Sequence, residues 1–269
     1  MSRIYAFVNQ KGGVGKTTSA ISLGASLGMF GQRVLLVDLD PQANATSSLG
    51  IDKRSVKTGT YEVLIGGQPV GSGIMHNPRF RLSILPSSPA LAGAEIELID
   101  LERRESRLRD ALAYYTSRYD YILIDCPPSL SLLTVNGLVA ANDGVLIPVQ
   151  CEYLALEGLG QLTQTVQRVR SSLFPGLTIR GVVLTMFDGR TRLSVDVVQE
   201  VRKYFPDQVF KTIIPRSIRL AEAPSFGMPI TLFAPDSTAA KAYAALAREM
   251  LAGDGVEIPV VEEQADHHG

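Results

Sequence analysis

Apolar residues in this chain come in short unbroken runs rather than in strict alternation with polar ones. Ile4-Tyr5-Ala6-Phe7-Val8, Val34-Leu35-Leu36-Val37 and Tyr121-Ile122-Leu123-Ile124 all read this way. A strand covered on both faces has no solvent side on which to carry polar residues, so such runs predict strands of a parallel sheet. Strands are expected near 3–8, 33–37, 82–85, 119–124, 144–149, 178–184 and 210–214. The intervening stretches predict helices near 15–30, 94–116, 131–140, 156–172, 192–205 and 236–252. Strand and helix alternate from end to end, with no internal repeat. That order predicts an α/β fold: a single-domain, mostly parallel, twisted β-sheet flanked by helices on both faces.

The chemistry is concentrated where these runs end. The first run opens directly into Asn9-Gln10-Lys11-Gly12-Gly13-Val14-Gly15-Lys16-Thr17-Thr18. Glycines at these positions let consecutive backbone N–H groups turn inward around a polyphosphate without Cβ clashes. Lys16 then supplies a charge for the β- and γ-phosphates and Thr17 a hydroxyl for Mg²⁺. The usual Gly-x4-Gly-Lys-Thr spacing wants glycine at position 10. This chain has Gln10 there and places an additional lysine, Lys11, inside the loop.

Two other runs end in carboxylates, Asp38-Leu39-Asp40 after the second and Asp125 after the strand at 119–124. Ligands of open α/β sheets bind at the carboxyl ends of the strands, so three strand ends are expected to converge on one site. Asp125 is placed to hold the Mg²⁺ shell, and Asp40, just before Pro41-Gln42-Ala43-Asn44, to orient water near the γ-phosphate.

Composition narrows the class. A chain of 269 residues with 45% hydrophobic content can bury one substantial core. The expected organisation is one ATPase domain over 1–252 and an acidic, disordered tail over 253–269. Beyond Ala252 there are five acids and no lysine or arginine. The first residues lead straight into a strand, so neither a targeting peptide nor an amino-terminal DNA-reading domain is expected. No apolar run approaches the 18 residues or so that a membrane-spanning helix needs. A cytoplasmic, soluble protein is the expectation. Cys126 and Cys151 sit at strand ends, not in a metal-ligand spacing, and read as small buried hydrophobes. His76 and the adjacent His267 and His268 read as solvated. Glu95 to Arg109 carries both signs of charge and reads as a solvated helix face around Ile96, Ile99 and Leu108.

The formal net charge is −1, which argues against a uniformly basic DNA-binding protein. Its distribution is uneven. Residues 160–230 hold ten basic groups against five acids, a local balance of +5. A basic half on a near-neutral chain is the electrostatic footprint expected of phosphate-backbone binding.

Four motifs in order, Lys11 to Thr18, Asp38-Leu39-Asp40-Pro41-Gln42, Ile124-Asp125-Cys126-Pro127-Pro128, and Ile214-Pro215-Arg216-Ser217-Ile218-Arg219-Leu220-Ala221-Glu222-Ala223-Pro224-Ser225, resemble the ParA/Soj family of partitioning ATPases. That family carries the deviant Walker A loop of the wider MinD/ParA superfamily of P-loop NTPases. The likeness spans roughly residues 3 to 250. It implies ATP and Mg²⁺ as cofactors and a homodimer formed face to face on ATP. Nucleotide contacts are implied for Lys11, Gly12, Gly13, Val14, Gly15, Lys16, Thr17 and Thr18. Pro215 and Arg216 are implied on the adenine side. Thr17 and Asp125 are implied at the metal, partly through water. Catalysis is implied for Lys11, acting on phosphates bound by the other subunit, for Lys16 and for Asp40. Arg190 and Arg219 match, by motif position, arginines that bind double-stranded DNA without sequence preference, which implies a nucleoid location. A ParB-like centromere-binding protein is the implied stimulating partner. The membrane-surface relatives of MinD type end in a basic amphipathic helix, whereas this chain ends acidic. The iron-protein relatives need paired cysteines at a dimer interface, and nothing in this sequence supplies a cluster.

Overall fold

The computed structural model describes residues 2–153 and 155–257. Seven strands, β1 (Arg3–Phe7), β2 (Val34–Asp38), β3 (Met75–Asn77), β4 (Leu82–Leu85), β5 (Tyr121–Asp125), β6 (Gly144–Gln150) and β7 (Ile179–Thr185), form one sheet in the order β3-β4-β2-β5-β1-β6-β7. Every pairing is parallel except β3 with β4. The register sets Asp38 and Phe7 on either side of Asp125, so the carboxyl ends of β1, β2 and β5 lie side by side as expected.

Alternate residues of each strand feed two separate cores. Ile4, Ala6, Leu35, Val37, Ile122 and Ile124 face one layer, and Tyr5, Phe7, Val34, Leu36, Tyr121 and Leu123 the other. The first layer is covered by α3 (Thr60–Leu64), α4 (Leu91–Glu97), α5 (Arg107–Leu112), α6 (Leu132–Ala140), α7 (Ala155–Ser172) and α8 (Arg192–Tyr204). The second is covered by α1 (Lys16–Met29), α2 (Asn44–Ser48), α10 (Ile230–Phe233) and α11 (Thr238–Gly253). A short α9 (Ile218–Glu222) lies between α8 and α10 in the chain. Apolar covering on both faces is why the strand residues show no alternation in the sequence.

Three expectations need correction. Residues 210–214 are not a strand: only single bridges join Val209 to Val182 and Pro215 to Phe187. The amides of Phe210 and Ile214 reach carbonyls of β7, but the Thr212 amide between them, which would have continued the ladder, is taken by Glu249 at 2.9 Å, and the other oxygen of that carboxylate takes the Lys211 amide at 2.6 Å. The seventh strand is β3, whose exposed residues carry no apolar signal. The helix expected over 94–116 is broken between α4 and α5. Arg103 there adopts a positive φ of 55°. Buried Asn136 donates to the carbonyl of Arg104 and accepts from the amide of Leu108, taking two groups that a continuous helix would have paired internally. Cys126 and Cys151 are buried free thiols, as expected.

The third correction concerns Asp254. Expected within a disordered tail, it is one of the most tightly held carboxylates in the molecule, with a side chain 3% exposed. It accepts from the hydroxyls of Tyr5 (2.9 Å) and Tyr121 (3.0 Å) and from Arg180 Nε (3.1 Å), while Arg3 donates to its carbonyl. Burial, then the neighbouring Asp254 charge, pushes both tyrosines well above the usual phenol range. This clasp ties the end of α11 to the starts of β1, β5 and β7. Residues 258–269, which hold the rest of the expected tail and both terminal histidines, lie outside the described residues. Removing one partner of a buried pair leaves the other charge uncompensated. Asp254→Ala is therefore expected to lower unfolding free energy by about 3 kcal/mol in urea titrations, with Asp254→Asn milder because its amide oxygen still accepts from one tyrosine hydroxyl while its NH2 donates to the oxygen of the other.

Candidate functional site

The loop between β1 and α1 is built to face an anion. Gly13 and Gly15 have φ of 77° and 89°, a region that disfavours any side chain. A Cβ added at Gly12 or Gly13 would meet nothing within 4 Å, so the glycines border open space rather than packed protein. The loop is fixed from behind. Asn9 donates to the carbonyl of Pro148 at 2.8 Å and accepts from the amide of Lys11 at 3.0 Å, and the Thr185 hydroxyl donates to the carbonyl of Val14 at 2.8 Å. No side chain caps the amino end of α1, leaving its first-turn amides and the positive end of its dipole for a ligand.

Lys16, in the first turn of α1, is 7% exposed, and its ammonium makes one long contact of 3.4 Å to the carbonyl of Lys11. Burial lowers its pKa, while Asp125 and Asp40 pull the other way. Facing it is Asp125, fully buried, with neither carboxylate oxygen hydrogen-bonded among the described residues. Thr17 lies near enough to favour the ionised form without satisfying either oxygen. Buried carboxylates are ordinarily paired, and one left bare beside a threonine hydroxyl and an open loop fits a hydrated divalent cation. Thr17 and Asp125 are the two groups that would hold it.

Desolvation, and then the nearby Asp38, pushes the Asp125 carboxyl up to about 8. Because the folded-state value lies above the unfolded one, the proton stabilises the nucleotide-free fold at low pH, and that contribution is lost as pH rises through about 8. Asp125→Asn, neutral at any pH, escapes this loss. Without nucleotide it is expected to melt higher than the parent near pH 9, with the difference shrinking toward neutrality, while Mg²⁺ no longer tightens nucleotide binding. Thermal unfolding across that range checks the first part. Parallel melting curves would remove the case for a strained carboxylate.

Asp38 and Asp40 share the end of β2 but differ in employment. Asp38 is 0% exposed and accepts from the amide (2.8 Å) and hydroxyl (2.7 Å) of Thr46 and the amide of Asp40 (3.2 Å). Burial lifts its carboxyl to about 6 against the pull of those bonds. Asp40, 6% exposed, accepts only from the Gln42 amide through Oδ1 and contributes to the field at both Lys16 and Asp125.

A cavity of 390 Å³ adjoins the loop, lined by Gly15 and Thr18 on one side and Met186, Pro215, Ile218 and Leu220 on the other. Its size suits a flat heterocycle. Pro215 and Arg216 both line this cavity, Arg216 held by its amide on the Phe187 carbonyl at 2.9 Å. Sequence reading missed Met186, whose φ of 52° turns it toward Gly15; nothing in its local sequence announces that geometry. A larger cavity of 680 Å³ between Val63 and Tyr115 contains none of the loop residues.

Three expected residues are already engaged. The Lys11 ammonium pairs with Glu152 of its own chain, both about one-third exposed. Arg190 binds Asp188 through two contacts of 2.9 and 2.7 Å, holding that carboxyl down to about 2, and Arg219 binds Glu222 at 3.0 Å. Both arginines are well exposed, at 89% and 62%. The structure brings the phosphate loop, Asp40 and Asp125 together, and holds Lys11, Arg190 and Arg219 on partners within the chain.

A glycine loop between a central parallel strand and a helix, with a buried lysine and an aspartate at the next strand's end, defines a P-loop nucleoside triphosphatase. A family profile described as an AAA domain matches residues 2–179. The chain is 54% identical over 252 residues to the sporulation initiation inhibitor protein Soj of Bacillus subtilis, covering 94% of this chain and 99% of that one. It is 51% identical to the chromosome partitioning protein ParA of Myxococcus xanthus, covering 96% and 91%. Among solved structures, cobyrinic acid a,c-diamide synthase from Mycobacterium smegmatis, with bound ADP and magnesium, superposes with a TM-score of 0.83 at 38% identity over 96% of this chain and 98% of that one. The chain belongs to the Soj/ParA family of chromosome-partitioning ATPases.

Proposed function

We propose that this ATPase is a dimerising switch for DNA partitioning. Mg·ATP sits in the loop Gly12 to Thr18, with Lys16 on the β- and γ-phosphates and Thr17 and Asp125 at the metal. The base enters the cavity beside Pro215 and Arg216. The observation that carries the reading is the second loop lysine. Lys11 is not spent inside its own cradle; it is about one-third exposed and rests on Glu152. Exchanging that carboxylate for phosphates bound by a second subunit turns Lys11 into a cation supplied in trans, and nucleotide becomes the glue of the dimer. Two copies of Arg190 and Arg219 then share one surface. A single arginine paired with its own carboxylate holds DNA weakly, whereas a surface with twice the number binds phosphates cooperatively. Hydrolysis, with Asp40 orienting water and a ParB-like partner accelerating the step, dissolves the dimer and frees the DNA. The protein would thus work on the nucleoid. Among the described residues no helix is long and apolar enough to cross a membrane.

Light scattering and gel shifts with a non-hydrolysable ATP analogue test this together. The parent should double its mass with the analogue and then retain two unrelated duplexes equally, with retention falling at least about tenfold between 50 and 200 mM salt. Lys11→Ala should bind nucleotide yet stay monomeric. Arg190→Glu or Arg219→Glu should dimerise normally and release DNA. A stable Lys11→Ala dimer, or equal DNA binding without nucleotide, would sink the reading.

A further inference from the structure

Behind Asp40 runs a closed ring of hydrogen bonds. The Ser87 hydroxyl donates to the carbonyl of Asp40 at 2.8 Å, and the Ser87 amide donates to the hydroxyl oxygen of Thr46 at 2.8 Å. The Thr46 hydroxyl donates to Asp38 Oδ2 at 2.7 Å, and Asp38 Oδ1 accepts from the amide of Asp40 at 3.2 Å, which closes the circuit. Asp38, Thr46 and Ser87 are all 0% exposed. Thr60, equally buried, adds a hydroxyl shared between the carbonyls of Asp38 and Pro86.

The ring grips the backbone of Asp40 on both sides, at its N–H and at its C=O, while leaving its carboxylate with a single bond to the Gln42 amide. The residue lies on an irregular segment: Ala43, three residues on, has a φ of 52° before α2 begins. No regular ladder holds Asp40; the only backbone bond to it among the described residues is the turn bond from the Ala43 amide to its carbonyl at 2.8 Å, and the rest of its placement comes from side chains. A satisfied buried network supplies such placement because breaking any member leaves a donor or acceptor bare. Of the four, Ser87 is the one whose side chain serves no other partner. Asp38 and Thr46 also start α2, since Asp38 accepts the Thr46 amide.

We infer that Ser87 is a positioning residue for ATP hydrolysis, acting from the end of β4 through the Asp40 carbonyl to hold the Asp40 carboxylate on the attacking water. The inference rests on the water-orienting role of Asp40 proposed above. Ser87 is fully buried with its hydroxyl spent on the Asp40 carbonyl, so its removal is expected to change the turnover step rather than binding.

Ser87→Ala removes one oxygen and leaves the chain otherwise intact. ATP affinity and KM should stay within about twofold of the parent while kcat falls at least about tenfold, as displacement of a reacting group by a fraction of an ångström does. In an Asp40→Ala background the same change should cost nothing further, because both act through one group. Single-turnover phosphate release and binding of a fluorescent ATP analogue read these quantities, with thermal unfolding alongside. An inactive Asp40→Ala with a fully active Ser87→Ala overturns the Ser87 inference alone. Normal hydrolysis by Asp40→Ala overturns both it and the reading on which it rests. A Ser87→Ala protein that loses ATP affinity and thermal stability in step with kcat shows a structural role, which also overturns the inference. So does a full additive loss in the double variant.

Discussion

Asp40→Ala is expected to bind Mg·ATP like the parent and to hydrolyse it at least about a hundredfold more slowly. Neither of the other two carboxylates at these strand ends is free for the water. Asp125 faces Lys16 and Thr17 with both oxygens bare, which suits a metal shell and would leave it unable to serve water as well. Asp38 has each oxygen committed, one to Thr46 and one to the Asp40 amide, so it cannot turn toward a ligand without dismantling the start of α2. With Asp125 given to the metal, Asp40 is the carboxylate left at this strand end that combines near-complete burial, proximity to Lys16 and spare acceptor capacity. Phosphoryl transfer needs little covalent help from a protein, so losing the group that positions the nucleophile removes much of what the protein contributes. In a dimerising switch this variant stays locked in its ATP state. Phosphate release and dimer mass, followed in one reaction with DNA present, measure both halves. Hydrolysis at the parental rate would return the role to another residue.

Lys16→Ala is expected to weaken ATP binding at least about a hundredfold, the scale for truncating one member of a buried charge pair. Lys16 is 7% exposed, and its ammonium has a 3.4 Å carbonyl contact to give up when phosphates arrive. The same burial makes Lys16 a liability in the empty protein. Desolvation lowers its pKa and its compensation comes from Asp125 and Asp40 at a distance rather than from a direct pair. The substituted protein should therefore melt close to the parent without nucleotide and gain no stability when ATP is added, whereas the parent's melting point should rise with ligand concentration. Isothermal titration with the non-hydrolysable analogue gives the affinity directly. Retained affinity would mean that the backbone amides of Gly12 to Gly15 and the α1 dipole carry the phosphates unaided. Lys11 does not offer a substitute, since its ammonium is committed to Glu152 in the monomer.

Much of this site was legible in the chain because its determinants are local. A strand buried on both faces must be apolar throughout, and a phosphate cradle needs glycine where φ is positive; both demands are met within a few neighbouring residues, as at Ile4 to Val8 and at Gly13 and Gly15. The class of fold, the two cores, the loop and the acids at the strand ends followed from that. The exposed hairpin strand at 75–77 did not, because an edge strand with solvent on its residues carries no apolar signature.

The remaining decisions belong to polar groups and the partners they find far along the chain. Glu249 takes the Thr212 amide that would have continued a ladder through 210–214, Asn136 divides the helix expected over 94–116, and the clasp of Arg3, Tyr5, Tyr121 and Arg180 orders Asp254. Lys11 meets Glu152 across 141 positions, and Ser87 meets Asp40 across 47. Asp38 and Asp40, two positions apart and chemically identical, acquire different duties only because Thr46 and Ser87 fold against one side of them. By itself the sequence determined where apolar surface must be buried and where a phosphate loop must bend, since both are properties of a short segment. Which carboxylate is spent, which is free and which cation is already paired were decided by tertiary structure alone, because a hydrogen-bonding group is satisfied by whatever lies within 3 Å or so of it, however distant in the chain.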